Sequence, residues 1–152
     1  MPVNLFAQDH IAGRYRDYFG SLLNLNADST FKYTWHFDLQ SSWTKGTWTL
    51  KNDTLYINMV PTYDTVSLFK SDKRTVDSLI MSIDEIPERL TQAEFNGIPL
   101  YAGGQNRMSY PVKLLLKKGR LYKIQKGRLV NKKQKGFWPN KKWNPWYFKS
   151  DD

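Results

Sequence analysis

The amino-acid sequence predicts an all-β protein, an antiparallel up-and-down barrel of about eight to ten strands. Apolar and aromatic side chains alternate with polar ones along most segments, which is the two-residue period of a half-buried strand. Turn signals recur every 8–12 residues or so, the spacing typical of barrels and sandwiches. The chain has 152 residues, the length of one domain.

The clearest strand covers residues 30–37, and an apolar alternation at residues 22–25 precedes it. Four aromatic side chains share one face of the later strand: Phe31, Tyr33, Trp35 and Phe37. The Asn-Ala-Asp-Ser sequence at 26–29 is a turn signal, because Asn and Asp tolerate left-handed backbone and bond to neighbouring amides. These segments together predict a β-hairpin.

Residues 42–50 form the next predicted strand, with Trp43 and Trp48 on either side of Gly46. A spacing of five places the two indoles on opposite faces of an unbroken strand. A bulge or turn at Gly46 would bring both to one face, and glycine within a strand often marks such a bulge.

Further alternating segments lie at residues 54–60, 63–69 and 76–83. Two interpretations compete for the region that follows. Residues 84–93 fit a short helix with Pro87 in its first turn. The Asn96-Gly97 pair instead predicts a hairpin across residues 90–101, because Asn-Gly between apolar residues is the strongest short hairpin signal. The hairpin is the preferred interpretation.

A weak repeat of eight residues marks the last third of the chain. Lys-Gly pairs recur at 118–119, 126–127 and 135–136. Glycine readily adopts the positive φ that tight turns need. Since eight residues make one strand and one turn, the repeat predicts a β-meander.

Positive charge is concentrated in the same third of the chain. Residues 112–149 contain 13 Lys and Arg and no Asp or Glu, within a total net charge of +9. Such an asymmetry favours contact with an anionic partner. The alternative is a lysine-rich solvent face that keeps the sheet soluble.

Two candidate binding surfaces follow from these patterns. An aromatic barrel interior could hold a small hydrophobic ligand, although the same rings could simply fill the core. The candidate ligand-binding residues are Tyr33, Trp35, Phe37, Trp43 and Trp48. A basic aromatic segment could bind a polyanion by neutralising charge and stacking rings. Its candidate residues are Lys132, Lys133, Lys135, Trp138, Lys141, Lys142, Trp143 and Trp146.

The partner of the basic segment has several candidates. Glycan, anionic lipid or protein is preferred over nucleic acid if the protein is exported. A separate hypothesis is that the sheet edge near residues 113–124 adds a strand from a partner protein. The alternative structural role for the segment is an irregular cap over the barrel, because Pro139 and Pro145 interrupt regular structure. We therefore predict a barrel over residues 13–136 and a cap over residues 137–152.

The residues argue against an enzyme. The chain contains no Cys and two His, which excludes thiolate chemistry and makes a histidine metal cluster improbable. His36 and Asp38 share one face, but that face is polar and is expected to meet water. The acidic residues Asp84, Glu85 and Glu88 are expected to be solvated. The sequence predicts no catalytic residue, no metal site, no cofactor and no transmembrane segment.

Several motifs resemble those of small secreted bacterial lipocalin-like (calycin-type) β-barrel domains. Gly13-Arg14-Tyr15 is similar to the Gly-x-Trp sequence that opens the first strand of lipocalins, with Tyr in place of Trp. The runs at 23–33, 43–48 and 53–56 resemble the strands that follow in those domains. The resemblance implies a closed barrel with a binding pocket at one end and no catalytic residue.

The first residues bear on where the protein acts. Residues 1–12 resemble the tail of a secretory signal peptide, in which a mildly apolar run ends in Ala-Gln. We expect a secreted or periplasmic protein, or a cytoplasmic one if Met1 is the native start.

Overall fold

The computed structural model describes residues 10–99, 103–105 and 109–150. Fourteen strands and the helix α1 (Gln92–Asn96) are defined within these ranges. The strands are β1 (Gly13–Arg16), β2 (Ser21–Leu25), β3 (Thr30–Phe37), β4 (Gln40–Lys51), β5 (Thr54–Met59), β6 (Tyr63–Phe69), β7 (Thr75–Met81), β8 (Arg89–Thr91), β9 (Lys113–Lys117), β10 (Arg120–Gln125), β11 (Arg128–Leu129), β12 (Gln134–Lys135), β13 (Lys142–Trp143) and β14 (Tyr147–Ser150).

Eight of these strands form a closed antiparallel barrel. Neighbours pair in the order β10–β14–β1–β2–β3–β4–β5–β9, and the pairing of β9 with β10 closes the ring. Because the strands follow one another around the ring in chain order, the prediction of an up-and-down barrel is confirmed. Strand β11 extends the sheet beyond β10.

The two ends of the barrel are built differently. At one, the closed end, neighbouring strands are joined by short turns at residues 26–29, 52–53 and 118–119. Lys118 and Gly119 have φ of 51° and 70°, as a two-residue hairpin turn requires. At the other, the open end, two connections are short turns at 17–20 and 38–39, and two are the long segments 60–112 and 126–146.

The Lys-Gly pairs fall into two groups. The turns predicted at 118–119 and 126–127 are confirmed, since both residues of each pair have positive φ and the flanking strands pair with each other. The pair at 135–136 instead ends β12. There Gly136 lies against the indole of Trp143, and a Cβ at Gly136 would come within 2.8 Å of it.

The core fills the barrel from the closed end. Its largest fully buried side chain is Trp48, whose indole Nε1 donates to the carbonyl of Asn26 at 3.0 Å. This bond ties β4 to the β2–β3 turn. The buried core cluster comprises Ile11, Tyr15, Leu23, Leu25, Phe31, Tyr33, Trp48, Leu55, Ile57, Leu114, Leu121 and Tyr147.

Strand β4 is unbroken at Gly46, which is the first of the two alternatives, and the bulge does not form. The strand pairs in regular register with β3 and β5, with Gly46 opposite both Phe31 and Met59. The two indoles of the strand therefore lie on opposite faces, Trp48 inside the barrel and Trp43 outside. Glycine is needed for another reason, because a Cβ at position 46 would lie 2.0 Å from the carbonyl oxygen of Asn58.

A small sheet lies within the insertion between β5 and β9. Strand β6 pairs antiparallel with β7 and parallel with β8. The insertion covers the outer face of β4, where the indole of Trp43 donates to the carbonyl of Ile83 at 2.7 Å. The backbone N–H of Trp43 also donates to the carbonyl of Gly104, at 3.1 Å. This explains how an outward-facing tryptophan is buried.

The preferred hairpin across residues 90–101 is wrong. Thr91 caps helix α1, because its hydroxyl accepts from the N–H of Glu94 while the Glu94 carboxylate accepts from the N–H of Thr91 at 2.7 Å. This reciprocal pair is a capping box, which satisfies two amides at a helix start. Gly97 ends the helix. The alternative helix at 84–93 also differs, since α1 begins at Gln92. Leu100 and Tyr101 lie outside the described residues.

The C-terminal end of the barrel lies beyond the predicted boundary at residue 136. Residues 147–150 form β14, which pairs with β1 and β10 and so belongs to the barrel rather than to a cap. Residues 134–143 form the β12–β13 hairpin, so the segment predicted to be irregular is partly regular. Residues 1–9 of the predicted N-terminal segment lie outside the described residues.

Candidate ligand pocket at the open end of the barrel

A buried carboxylate lies inside the open end. The side chain of Asp17 is 0 % exposed, and its Oδ2 accepts from the ammonium of Lys123 at 3.0 Å. Its Oδ1 accepts from the backbone N–H groups of Phe19 and Ser21, each at 2.9 Å. Both oxygens are thus satisfied, as a buried charge requires.

The turn that carries Asp17 depends on glycine. Gly20 has φ of 85°, and a Cβ there would lie 2.1 Å from the carbonyl oxygen of His36. The backbone N–H of His36 donates to the Gly20 carbonyl at 3.0 Å. This close approach joins the β1–β2 turn to the end of β3 and fixes the position of the carboxylate.

Three hydroxyl groups adjoin the carboxylate. The Ser21 and Tyr33 hydroxyls are 3.1 Å apart, and the Tyr147 hydroxyl interacts with both. Burial raises the pKa of Tyr147 well above its usual value, and the neighbouring Tyr33 and Asp17 add to this. Burial also raises the pKa of Tyr33, an effect that the Ser21 hydrogen bond opposes. Both phenols are therefore neutral hydrogen-bonding groups at ordinary pH.

A cavity of about 320 Å³ opens beside this cluster. Ligand pockets commonly span roughly 300–1,000 Å³, so the cavity suits a small molecule. Its lining mixes rings, aliphatic groups and two lysines, and includes Tyr33, Tyr110, Val112, Lys113, Lys123, Ile124 and Tyr147. The Lys123 ammonium lies 5.0 Å from the ring centre of Tyr147. Such a surface can enclose an apolar ligand and meet one polar group on it.

Of the five predicted ligand-binding residues, Tyr33 is the one that lines the cavity. Trp35 also faces inward but is half-buried, and its indole donates to the carbonyl of Phe19 at 3.0 Å. Phe37 is 45 % exposed at the end of β3, beyond the buried interior.

The other two predicted residues lie away from the cavity. Trp48 is fully buried in the core near the closed end, where it fills space. Trp43 lies outside the barrel wall under the insertion. The structure therefore does not bring the five rings together.

The sequence reasoning missed the polar residues of the site. Lys123 lies two residues after Leu121 on β10, so the strand period places an ammonium on the inward face. The inward position of Lys123 could therefore be predicted from the sequence. Asp17 carries no such signal, because it lies in a turn and its partner is 106 residues away in the chain.

The basic aromatic segment has a free part and a covered part. The lysines at 132, 133, 135, 141 and 142 are all exposed, and so is Trp138. Trp143 stacks on Tyr18 at 4.8 Å, with the Lys141 ammonium 4.0 Å from its ring centre. Trp146 is half-buried and lies against Arg120 and Tyr122. The predicted surface residues therefore do not form one free face.

The free part continues onto the neighbouring β3–β4 turn. The ring of Phe137 lies 5.7 Å from that of Phe37 and 5.4 Å from that of Trp138. Leu39, in the same turn as Phe37, is 70 % exposed. We call these four residues, Phe37, Leu39, Phe137 and Trp138, the apolar tip.

Other titratable groups are placed at the surface. His36 and Asp38 are exposed at the β3–β4 turn. Glu85 pairs with Lys32 on β3, while Asp84 accepts from the backbone N–H of Ile86. In the described ranges, no three His, Asp or Glu side chains group as metal ligands. None of the helices in those ranges has both the length and the apolar character needed to cross a bilayer.

Comparison with known proteins returns no relative. No protein-family model, curated protein or solved structure matches this chain. The case for a function therefore depends on the geometry of the pocket and of the surface around it.

Proposed function

We propose that this protein is a non-enzymatic binding protein that holds a small hydrophobic ligand in the open end of its barrel. The observation that carries the proposal is the cavity of about 320 Å³ beside Tyr33, Lys123 and Tyr147. The resemblance to secreted lipocalin-like domains supports the same function and an exported location.

The lining indicates the chemistry of the ligand. Tyrosine rings and aliphatic side chains favour an apolar or aromatic body, because contact with them removes apolar surface from water. The Lys123 ammonium and the two phenols favour a hydrogen-bond acceptor or weak anion on one side of that body. A ligand with both features satisfies groups that it would otherwise desolvate.

The fluorescent probe 1-anilinonaphthalene-8-sulfonate tests the proposal, since it combines aromatic rings with one anionic group. The native protein is expected to bind it with enhanced emission. Val112, which is 59 % exposed and lines the cavity, is the position to block. Val112→Trp is expected to weaken binding about tenfold or more, because an indole in the cavity would exclude the probe from apolar contact with the wall.

Val76 on β7 is the matched control, because it is 40 % exposed and lies in the insertion sheet. Val76→Trp should leave the affinity unchanged. If Val112→Trp binds the probe as the native protein does, the cavity is not the site and the proposal fails. Native mass spectrometry of protein from its own cells would then identify the class of any retained ligand.

A second candidate function is binding of a polyanion at the exposed part of the basic aromatic segment. The supporting observation is that Phe137 and Trp138 are 73 % and 66 % exposed, next to exposed lysines. Exposed apolar patches rimmed by polar residues often mark binding sites. Glycan, anionic lipid and nucleic acid share the chemistry that such a surface recognises. For the first candidate function, the alternative to a small hydrophobic ligand is a partner protein.

A further inference from the structure

We propose that the apolar tip and the lysines around it dock the open end of the barrel onto an anionic lipid bilayer. This inference rests on the second candidate function and names its partner. It combines three observations: an exposed apolar surface, a cluster of five lysines beside it, and its position near the mouth of the cavity.

The apolar surface is large and uncovered. Leu39, Phe137 and Trp138 are 70 %, 73 % and 66 % exposed, and Phe37 is 45 % exposed. The ring distances of 5.7 and 5.4 Å make the aromatic part continuous from β3 to the β12–β13 turn. Solvent exposure of four large apolar side chains on two adjoining turns is unfavourable in water and suits the boundary between headgroups and acyl chains.

The hairpin beside the tip is strongly basic, while Asp38 in the β3–β4 turn adds one negative charge. Residues 131–143 contain lysines at 132, 133, 135, 141 and 142 and no Asp or Glu. Lysines flanking interfacial aromatic residues are attracted to anionic headgroups, and Trp is enriched at that depth. The same hairpin therefore offers both an inserting group and electrostatic attraction.

The state of the other rings favours lipid over nucleic acid or glycan. Stacking of bases or sugars needs free ring faces along a groove. Trp143 is covered by Tyr18 and Lys141, while Trp146 is covered by Arg120 and Tyr122. Leu39 offers no ring on which a base or a sugar could stack. The apolar tip is the part that remains exposed, and its side chains suit the acyl-chain region of a bilayer.

The location connects docking to ligand binding. Phe37 ends β3, the strand that carries Tyr33 into the cavity. The β12–β13 hairpin leads directly into β14, which begins at Tyr147 in the cavity wall. Docking through the tip would therefore place the barrel mouth at the membrane surface, where hydrophobic ligands are concentrated.

Vesicle flotation tests the inference, with vesicles of phosphatidylcholine alone and of equal parts phosphatidylcholine and phosphatidylglycerol. The native protein is expected to float with the anionic vesicles and to be released as salt is raised. Phe137→Ser with Trp138→Ser should lower the partition coefficient at least about tenfold, since it removes two apolar anchors.

The control pair is Phe69→Ser with Leu79→Ser, since these residues of the insertion sheet are similarly exposed, at 68 % and 66 %. It should float as the native protein does. Equal loss in both pairs, or no loss in the tip pair, overturns the inference.

Two further probes, immobilised heparin and single-stranded oligothymidylate, separate this inference from the candidate function beneath it. Retention on either probe without flotation shows a polyanion surface that is not a lipid surface, and overturns only the inference. Failure to bind vesicles, heparin and oligothymidylate overturns both.

Discussion

The two ends of the barrel use the same antiparallel strands for different purposes. At the closed end, turns of a few residues bring strands together over apolar side chains such as Trp48 and Leu55, both 0 % exposed. At the open end, two long insertions lie beside two short turns, and the interior contains a carboxylate, an ammonium and phenols. The closed end is a packed core, whereas the open end is a polar site with a cavity.

The difference shows where a small barrel can accommodate polar groups. A charge inside the barrel needs partners on every side, and Asp17 obtains two of them from the backbone of its own turn. The cavity beside it is walled in part by Tyr110, Pro111 and Val112 of the long insertion. A functional interior is therefore expected where the loops are long.

Substituting tryptophan at each end should give the largest contrast. Trp48→Ala is expected to lower the free energy of unfolding by about 3–5 kcal/mol, because it leaves a cavity in a fully packed site. Trp138→Ala should cost less than about 0.5 kcal/mol, as is usual for an exposed side chain. Urea denaturation measures both. A cost near 1 kcal/mol for Trp48→Ala would contradict the assignment of the closed end as the stabilising core.

Alkaline pH should affect the phenols inside the barrel. Burial raises the pKa of Tyr147 and Tyr33 near the open end, and of Tyr15 toward the closed end. Because the folded pKa exceeds the unfolded value near 10, this stability is complete below pH 10 and is lost as pH rises through the folded pKa. For each phenol that stays protonated in the folded protein at pH 11, the free energy of unfolding should be about 1.4 kcal/mol lower than at pH 9.

Tyr147→Phe is the variant that isolates this effect. It should reduce the loss of unfolding free energy between pH 9 and pH 11, measured by urea denaturation at each pH. Tyr63→Phe is the control, because Tyr63 is 45 % exposed on β6 and its substitution removes no buried phenol. An alkaline loss that is the same for Tyr147→Phe and the native protein would show that this phenol ionises freely in the fold.

The smallest contrast compares one turn type at the two ends. Lys118 and Lys126 have φ of 51° and 49° in matching Lys-Gly turns, a conformation that Asn tolerates better than Lys. The turn at Lys118 joins two barrel strands, so Lys118→Asn should stabilise the protein by about 0.5 kcal/mol. Lys126→Asn should give less, because its turn leads to the two-residue strand β11 outside the barrel. Equal gains would show that β11 is as firmly held as the barrel.

Local patterns predicted most of the barrel. The alternation at residues 30–37 and the turn signal at 26–29 depend only on neighbouring residues, so the β2–β3 hairpin appears as expected. The Lys-Gly turns at 118–119 and 126–127 are confirmed for the same reason. The resemblance to lipocalin-like barrels agrees with the observed closed antiparallel barrel.

Predictions were wrong where two local signals competed or where a distant segment decided. Asn96-Gly97 suggested a hairpin, but Thr91 and Glu94 form a capping box and a helix results. A bulge at Gly46 was considered in order to bring Trp43 and Trp48 to one face, because no local pattern shows that the insertion covers the outer face of β4. The pairing of Lys123 with Asp17 was hidden, since the two residues meet only after the ring closes.

The sequence by itself determined the strands, the tight turns and the charge of the last third, because each depends on the order of neighbouring residues. The tertiary structure decided which end is closed, which tryptophans are core and which rings stay exposed. These properties arise from the closure of β9 on β10 and from the course of two insertions. Contacts between residues far apart in the chain set them, and no local period records such contacts.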